Sequence, residues 1–267
     1  MHSSSLLATT LTLTLTSTMA ASSNSTIKDN LLFPPPPPSV ISAPQVLPNA
    51  SIEPPSTQSI INSLSLTAFV EGGYMAETDR NPLEIPSPFP LYPATTFSDP
   101  NPAEDGPNYT FDPDSYRPGF DPKKRNASTT IYYLLTGAGK EGSGGSPKGY
   151  LHRNRGRIIH TLHRGRGRYV VLHADETPCR VESFVVGKNV EKEKVQWVVD
   201  GGKYKGTFVL PLEDGEDDDE MVFISETTVP GWEVFDHDFL DRKGLEMLME
   251  GDEEKIRQLE WLVKQEE

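Results

Sequence analysis

Three histidines and several arginines lie between two β-type runs of the sequence, Thr129–Leu135 and Tyr169–His173. Imidazoles and guanidiniums on adjacent strands suit the mouth of a small barrel or sandwich, where they can hold a polar or anionic small molecule. An arginine such as Arg157 presents a fixed fork of N–H donors, which binds a carboxylate or phosphate through paired hydrogen bonds. The segment therefore indicates a ligand-binding site more strongly than any particular reaction. Its histidines are His152, His160 and His163.

The chain as a whole is acidic, with a formal net charge of −14 over 267 residues. Such a chain does not attract nucleic acid or an anionic membrane through its long-range field, so we expect neither as a partner. The sequence also lacks a run of about 18 apolar residues, so we expect no transmembrane helix.

The cysteine content and the N-terminus bear on the compartment. Cys179 is the only cysteine, which precludes an intrachain disulfide and suits the reducing cytoplasm. Secretion is the alternative, because residues 1–23 have a mildly apolar centre and a small-residue end that resembles a cleavage site. The basic residues that begin a signal peptide are missing there, since the first basic residue is Lys28. We therefore expect a cytoplasmic protein.

The chain divides into a tail, a β-rich domain and a helical end. Residues 1–56 are rich in Ser, Thr and Pro and predict a disordered tail. Residues 57–240 predict a single domain, in which the Pro-, Asp- and Asn-rich stretch 81–125 is a long loop insertion. Residues 241–267 predict a helical segment, and the expected helices are Thr57–Leu64, Phe239–Met249 and Glu253–Lys264.

Short strands separated by turn signals dominate the middle of the chain. Their spacing of roughly 8–12 residues is typical of an all-β sandwich or barrel. Strands do not alternate with helices, which argues against a nucleotide-binding α/β fold. The predicted strands are Thr129–Leu135, Gly149–His152, Arg157–Leu162, Arg168–His173, Cys179–Val186, Gln196–Val199, Gly206–Leu210 and Met221–Val229.

Six short sequence motifs follow one another along the chain in an order that is informative about its family. They are AFVEGGYMAETDR (68–80), STTIYYLL (128–135), YLHR (150–153), His160, QWVVDGGKY (196–204) and SETTVPGWEVFDHDFL (225–240). Together they resemble a family of unknown function in the cupin superfamily, whose members typically read HPEGGYY, STxIYYLL, HR, a second His and a closing VPGF-like step. The resemblance implies a cupin jelly roll, a β-sandwich with one open end and a polar pocket, usually assembled as a homodimer.

The chain departs from that family where a metal would bind. Metal cupins generally carry His-x-His, then a Glu a few residues on and a distant His. Here residues 152–154 read HRN, the Asp-Glu pair of the family is replaced by Gly156-Arg157, and the expected Glu position falls at Arg157. A guanidinium cannot ligate a metal and would repel one. We therefore expect no metal cofactor, with a divalent ion at His152 and His160 as the weaker alternative.

Glu71 precedes a pair of glycines and is the best-placed acid for a general base, a ligand anchor or a partner of Arg157. If residues 157–162 form a strand, Arg157 and His160 face opposite sides unless a bulge intervenes. Tyrosine and glutamine side chains would add neutral hydrogen bonds, although core packing is an alternative for both tyrosines. The expected ligand-binding residues are Glu71, Tyr132, His152, Arg157, His160, Gln196 and Tyr204.

The first hypothesis for function is a cupin-like binding module that holds a small, anionic metabolite without a metal. One alternative is a pocket enzyme, such as an isomerase, epimerase or lyase, that uses Glu71 or a histidine as acid and base. Others are a metal-dependent cupin oxygenase and an interaction protein that works through its proline-rich tail. The residues leave open whether any reaction is catalysed.

Overall fold

The computed structural model describes residues 53–89, 91, 116–137, 146–210 and 220–265. Most of the predicted tail and the middle of the predicted insertion lie outside the described residues. The described chain starts with a helix, α1 (Pro55–Ser63), continues through a series of strands and ends in two short helices. None of these helices is long and apolar enough to cross a lipid bilayer.

The elements that follow α1 are mostly short strands. Those in the described residues are β1 (Thr67–Ala68), β2 (Tyr74–Arg80), β3 (Glu84–Pro86), β4 (Lys124–Asn126), β5 (Thr129–Thr136), β6 (Lys148–Asn154), β7 (Arg157–Gly165), β8 (Gly167–His173), β9 (Arg180–Val186), β10 (Gln196–Val199), β11 (Tyr204–Val209), β12 (Met221–Val229) and β13 (His237–Phe239). The helices after them are α2 (Arg242–Leu248) and α3 (Glu253–Leu259), with 3₁₀ turns at Val234–Asp236 and Glu260–Leu262.

The strands form a sandwich of two antiparallel sheets. The first sheet has the order β1-β2-β5-β12-β7-β10, and the second has the order β13-β6-β11-β8-β9. β3 and β4 form a separate two-stranded ribbon, so the two described ends of the predicted insertion pair with each other. This architecture confirms the expected all-β jelly-roll sandwich with C-terminal helices.

Apolar side chains fill the space between the sheets and also cover the outer faces. Between the sheets, Leu135 and Ile224 of the first sheet pack with Val171 of the second. α1 covers the outer face of the first sheet through Ile61, and the C-terminal helices cover the outer face of the second sheet through side chains such as Leu259. Both faces of the central strands therefore lie against apolar side chains.

The C-terminal helix begins later than the sequence predicts. Residues 237–239 pair with β6, and Phe239 lies opposite His152 in that pairing. The helix then begins after Asp241, whose carboxylate accepts a hydrogen bond of 2.6 Å from the amide of Gly244. Because Asp is a strong N-cap residue, it fixes the first turn of α2 and leaves the preceding residues to the sheet.

A β-bulge in β6 decides which of its side chains point between the sheets. Lys205 pairs with His152 and Thr207 pairs with Gly149, so two residues of β6 lie opposite Gly206 of β11. A bulge of this kind shifts the alternation of the bulged strand by one residue. As a result, both Gly149 and His152 face the interior.

The paired glycines after Glu71 form a turn that passes close to two strands. Gly72 and Gly73 have φ values of +100° and +70°. A Cβ on Gly72 would lie 2.2 Å from the carbonyl oxygen of Lys148, and one on Gly73 would lie 2.3 Å from that of Leu134. The turn is thus held between β5 and β6, and the amide of Tyr150 donates a 2.8 Å hydrogen bond to the carbonyl oxygen of Glu71. The glycines place the Glu71 carboxylate inside the sandwich.

The substitution Gly72→Ala is expected to destabilise the fold strongly. The left-handed φ costs a residue with a Cβ about 1–2 kcal/mol, and the clash with Lys148 adds to that cost. Gly202→Ala is the matched control, because Gly202 has a φ of +84° and a Cβ there would meet no atom within 4 Å. Urea unfolding followed by circular dichroism measures both losses. Equal losses would contradict the close approach at Gly72.

Candidate functional site

Six ionisable side chains meet between the two sheets, and we call them the inner cluster. Two of its pairs come from direct cross-strand neighbours. Lys205 of β11 lies opposite His152 of β6, and Glu226 of β12 lies opposite His160 of β7. Paired residues of an antiparallel ladder project from the same face of the sheet, so both side chains of each pair point into the space between the sheets. The inner cluster consists of Glu71, His152, His160, Lys205, Glu226 and His237, all of which are buried.

The Glu71 carboxylate contacts an imidazole with each of its oxygens. Nε2 of His237 lies 2.8 Å from Oε1, and Nε2 of His152 lies 3.2 Å from Oε2. The two imidazole rings are stacked, with centroids 5.1 Å apart and planes 12° from parallel. The turn before β2, the bulged strand β6 and the C-terminal strand β13 therefore converge on one carboxylate.

Lys205 connects that carboxylate group to the opposite sheet. Its ammonium lies 2.7 Å from Nε2 of His152 and 3.2 Å from Oε2 of Glu226. The same oxygen of Glu226 lies 3.5 Å from Nε2 of His160. The contacts thus form a continuous chain of ionisable groups across the interior of the sandwich.

Both carboxylates of the inner cluster are ionised. Burial opposes the charge of Glu71, but its contacts with His152 and His237 and the field of Lys205 outweigh burial and lower its pKa. Burial likewise opposes the charge of Glu226, and the field of Lys205 with the neighbouring His160 lowers its pKa. Two negative charges therefore face the single positive charge of Lys205 in the cluster.

Two histidines of the cluster are neutral at pH 7. Burial lowers the pKa of His152 well below its usual value and lowers the pKa of His160 to about 4. Nδ1 of His152 lies 2.8 Å from the carbonyl oxygen of Tyr150, which can only accept, so Nδ1 carries the proton. Nε2 of His152 is then the acceptor for the Lys205 ammonium. For the same reason, Nε2 of His237 must be the donor to the ionised Glu71.

A cavity of about 10 Å³ opens beside the Lys205 side chain. That volume is close to the minimum that holds one water molecule. The Tyr133 hydroxyl reaches this cavity, is buried, and makes no hydrogen bond within the described part of the chain. It lies over Gly149, where a Cβ would approach it to 2.6 Å. The residues that line the cavity are Tyr133, Gly149, His152, Tyr169, Lys205, Gly206, Thr207 and Glu226.

The structure brings Glu71, His152 and His160 together, and places two other predicted ligand-binding residues on the surface. The Arg157 side chain is 61% exposed and lies 3.5 Å from an oxygen of Asp200. Arg157 lies three residues before His160 in β7, so alternation turns it away from the interior. Gln196 is exposed on the edge strand β10 and donates to Thr161.

The two predicted tyrosines lie on the outer faces of the sheets. Tyr132 packs against the rings of His163 and Phe223 outside the first sheet. Tyr204 is fully buried beneath the C-terminal helices and donates a 3.1 Å hydrogen bond to Asp238. Both side chains lie in apolar clusters outside the space between the sheets, so neither belongs to the inner cluster.

Sequence reasoning missed Lys205, Glu226, His237 and Tyr133. A signal for Glu226 was present, because it falls in the same alternation as the buried Ile224 and Val222 of β12. A carboxylate in phase with buried apolar residues marks an interior charge. Comparable signals for Lys205 and His237 were absent, since their partners lie on distant strands.

Glu71, His152 and His237 could hold a metal ion, because each offers a ligand atom and these atoms lie within 4.8 Å of one another. Nitrogen and carboxylate donors are suitable ligands for zinc and related ions. However, the nitrogen atoms that would coordinate the metal already take part in hydrogen bonds. The lone pair of His152 Nε2 accepts from Lys205, and Nε2 of His237 directs its proton to Glu71. The donor types fit a metal, whereas the present arrangement is that of a site closed by an ammonium.

Comparisons with known proteins place these observations in context. A family model described as "Cupin superfamily (DUF985)" matches residues 58–240. The uncharacterized protein YML079W of Saccharomyces cerevisiae is 40% identical over 190 residues, which cover 70% of this chain and 77% of the yeast protein.

One solved structure, at 23% identity, shares the overall fold. A hypothetical protein from Leishmania major superimposes with a TM-score of 0.53 and 23% identity, over 76% of this chain and 97% of that one. Protein SO0799 from Shewanella oneidensis gives a TM-score of 0.49 and 16% identity, over 78% and 98% of the two chains.

Acid is expected to destabilise the fold through His160. Its pKa of about 4 in the folded protein lies below the value of 6.5 for a free histidine, so the unfolded state binds the proton first. Stability is therefore present above pH 6.5 and is lost as the pH falls towards 4. The substitution His160→Phe can keep the ring stacked on Trp197 and removes this loss, which is on the order of 3 kcal/mol.

Urea unfolding at about pH 7 and about pH 4.5 measures the effect. His163→Asn is the control, because His163 lies in the same strand and is exposed. If the His160→Phe protein loses as much stability in acid as the original chain, His160 is not a source of the acid sensitivity.

Proposed function

Since the chain belongs to the DUF985 family of the cupin superfamily, we propose that its function resides in the inner cluster, as a binding site for a small polar metabolite. The ligand presents an oxygen atom to the Lys205 ammonium and the Tyr133 hydroxyl. Both donors border the same cavity. This is the role that the described side chains support best.

The observation that carries the proposal is a buried group of charges that shares a cavity with the Tyr133 hydroxyl, a buried donor without a hydrogen bond in the part of the chain that the structure describes. Burying charged groups costs several kcal/mol per ion before pairing, and well-packed apolar residues usually stabilise a fold as well or better. A buried hydroxyl without a partner adds a further cost of about 1–3 kcal/mol. Perturbed, buried ionisable groups that border a cavity are typical of functional sites. Stability alone gives no reason for this composition.

The charge of the inner cluster restricts the ligand. Glu71 and Glu226 outnumber Lys205, so a multiply charged anion would be repelled. A neutral metabolite with a carbonyl or hydroxyl oxygen, or a monocarboxylate that pairs directly with Lys205, suits the site better. Any role in binding an anion therefore falls to Lys205 and not to Arg157, which lies on the surface.

The present cavity of about 10 Å³ admits a single ligand atom. A whole metabolite requires the interior to widen when the ligand enters. The Lys205 side chain has a flexible four-carbon stem, and its displacement would enlarge the cavity without moving a strand. The ligand oxygen then replaces one of the acceptors that now hold the ammonium.

A second candidate function is proton transfer, as in an isomerase, epimerase or lyase. The observation that favours it is the contact of Glu71 with two imidazoles, at 2.8 and 3.2 Å. A carboxylate held between imidazoles has the geometry of an acid–base group that exchanges protons with its neighbours. Glu71 would then remove a proton from a ligand whose oxygen is held by Lys205 and Tyr133.

The substitution Tyr133→Phe tests the binding proposal. Removing a buried hydroxyl that makes no hydrogen bond among the described residues is expected to raise the free energy of unfolding by about 1 kcal/mol and to weaken ligand binding about three- to tenfold. A thermal-shift screen of monocarboxylates, keto acids, sugars and sugar phosphates identifies a ligand, and calorimetry measures its affinity.

Two controls accompany this test. Tyr204→Phe removes a buried hydroxyl that donates to Asp238, so it should lower stability and leave binding unchanged. Arg157→Ala should change neither. The proposal fails if no compound stabilises the protein, or if Tyr133→Phe binds the ligand as tightly as the original chain.

The substitution Glu71→Gln separates the two candidate functions. If the site transfers protons, turnover of the identified ligand should fall by at least about 100-fold while its affinity changes little, because the amide cannot accept a proton as a base. Turnover is followed by proton–deuterium exchange into the ligand, detected by NMR. Exchange that persists in Glu71→Gln would exclude Glu71 as the base, and absence of exchange in the original protein would leave binding as the function.

A further inference from the structure

The Lys205 ammonium occupies the centre of the inner cluster. It contacts His152 Nε2 at 2.7 Å and Glu226 Oε2 at 3.2 Å, and only 3% of the residue is exposed. Through His152 it adjoins Glu71, whose oxygen lies 3.2 Å from the same imidazole nitrogen. The acceptors of both sheets are thus directed at one cation.

The field of this ammonium extends through the cluster. The ammonium directly contacts the His152 imidazole and the Glu226 carboxylate, and those two groups adjoin Glu71 and His160. A bound metal ion is often the largest local charge in a site and acts on its neighbours in the same sense.

We propose that Lys205 is the resident cation of this cupin and takes the place of a divalent metal. Its ammonium uses the lone pair of His152 that a metal would need, and it neutralises one of the two carboxylates that would attract a metal. The imidazole nitrogen and the carboxylates that could coordinate an ion interact instead with the ammonium of Lys205, which is part of the protein.

The separations within the cluster support this substitution. A tetrahedral ion with bonds of about 2.1 Å holds its ligand atoms about 3.4 Å apart. The ligand atoms of Glu71, His152 and His237 lie within 4.8 Å of one another, and two of the contacts are 2.8 and 3.2 Å. The positions are therefore compatible with a metal once the ammonium is removed and His237 turns its lone pair inward.

Removal of the ammonium also changes the charge balance. Without Lys205, the ionised Glu71 and Glu226 face each other with neutral imidazoles between them. A buried pair of uncompensated carboxylates is costly, and a divalent cation would neutralise both. Loss of one side chain should thus convert a closed site into a metal site.

The full-length Lys205→Ala protein tests the proposal. It is expected to bind one equivalent of Zn²⁺ or Co²⁺ and to be stabilised by the ion, whereas the original chain should bind at least about 100-fold more weakly, a difference of about 2.7 kcal/mol. Metal analysis after dialysis, the visible absorption of bound Co²⁺ and the melting temperature with and without Zn²⁺ provide three independent readouts.

Matched variants identify the site. Lys203→Ala removes a lysine that pairs with Asp175, and it should gain no metal. The double substitution Lys205→Ala with Glu71→Gln should lose the metal that the single substitution gains. Lys205→Gln is a second variant that keeps a hydrogen-bond donor without the charge, and it should bind metal as well.

The outcomes separate clearly. One equivalent of metal in the original protein, lost on Glu71→Gln, would overturn the proposal, as would folded Lys205→Ala and Lys205→Gln proteins that take up no metal. If both variants unfold without metal, refolding in Zn²⁺ supports the proposal and failure to refold contradicts it. These readouts need no ligand, so they are independent of the metabolite proposed above.

Discussion

The contact between the Lys205 ammonium and the Glu226 carboxylate, 3.2 Å apart, joins the two sheets through their polar layer. Within the inner cluster, it is where the lysine charge meets a carboxylate directly. Breaking a buried pair by removing one partner typically costs about 3–5 kcal/mol, because the other charge is left uncompensated. The other members of the inner cluster depend on a cation at this position for their charge balance. In particular, the unprotonated Nε2 of His152 and the Glu71 oxygen lie 3.2 Å apart, and the ammonium that binds Nε2 offsets their repulsion.

Local backbone features place the other side chains of the inner cluster around the Lys205 ammonium. The bulge opposite Gly206 turns His152 inward, and the turn at Gly72 and Gly73 inserts Glu71 between two strands. Ladder pairing places Glu226 beside His160. Each of these features acts on one or two residues, yet their combined result is a continuous polar layer across the sandwich. Because the members share partners, their energies are coupled, and no single contact can be assigned an independent contribution.

The sequence was sufficient for the fold and for part of the site. Motif order predicted the sandwich, and Glu71, His152 and His160 do meet inside it. Three other predictions each fell one residue away from an inward side chain: Tyr132 beside Tyr133, Gln196 beside Trp197 and Tyr204 beside Lys205. Alternation shows that every second side chain of a strand shares a face. Which of the two faces points inward can be read from the sequence only when the other face is polar. For β5 and β11 apolar packing covers both faces, so the inward phase could not be read from the residues. Contacts such as Lys205 with Glu226 join distant strands and have no local pattern at all.

A lysine at the centre of a cupin interior has chemical consequences that differ from those of a metal. It supplies one positive charge and three N–H donors on a flexible stem, and it accepts no lone pair. A ligand oxygen at Lys205 would receive a hydrogen bond and could receive a proton, whereas polarisation by coordination is not available from an ammonium. If the proposed function holds, the excess negative charge of Glu71 and Glu226 favours proton transfer over coordination chemistry. The Tyr133 hydroxyl, which makes no hydrogen bond within the described residues, would then be where a ligand oxygen enters.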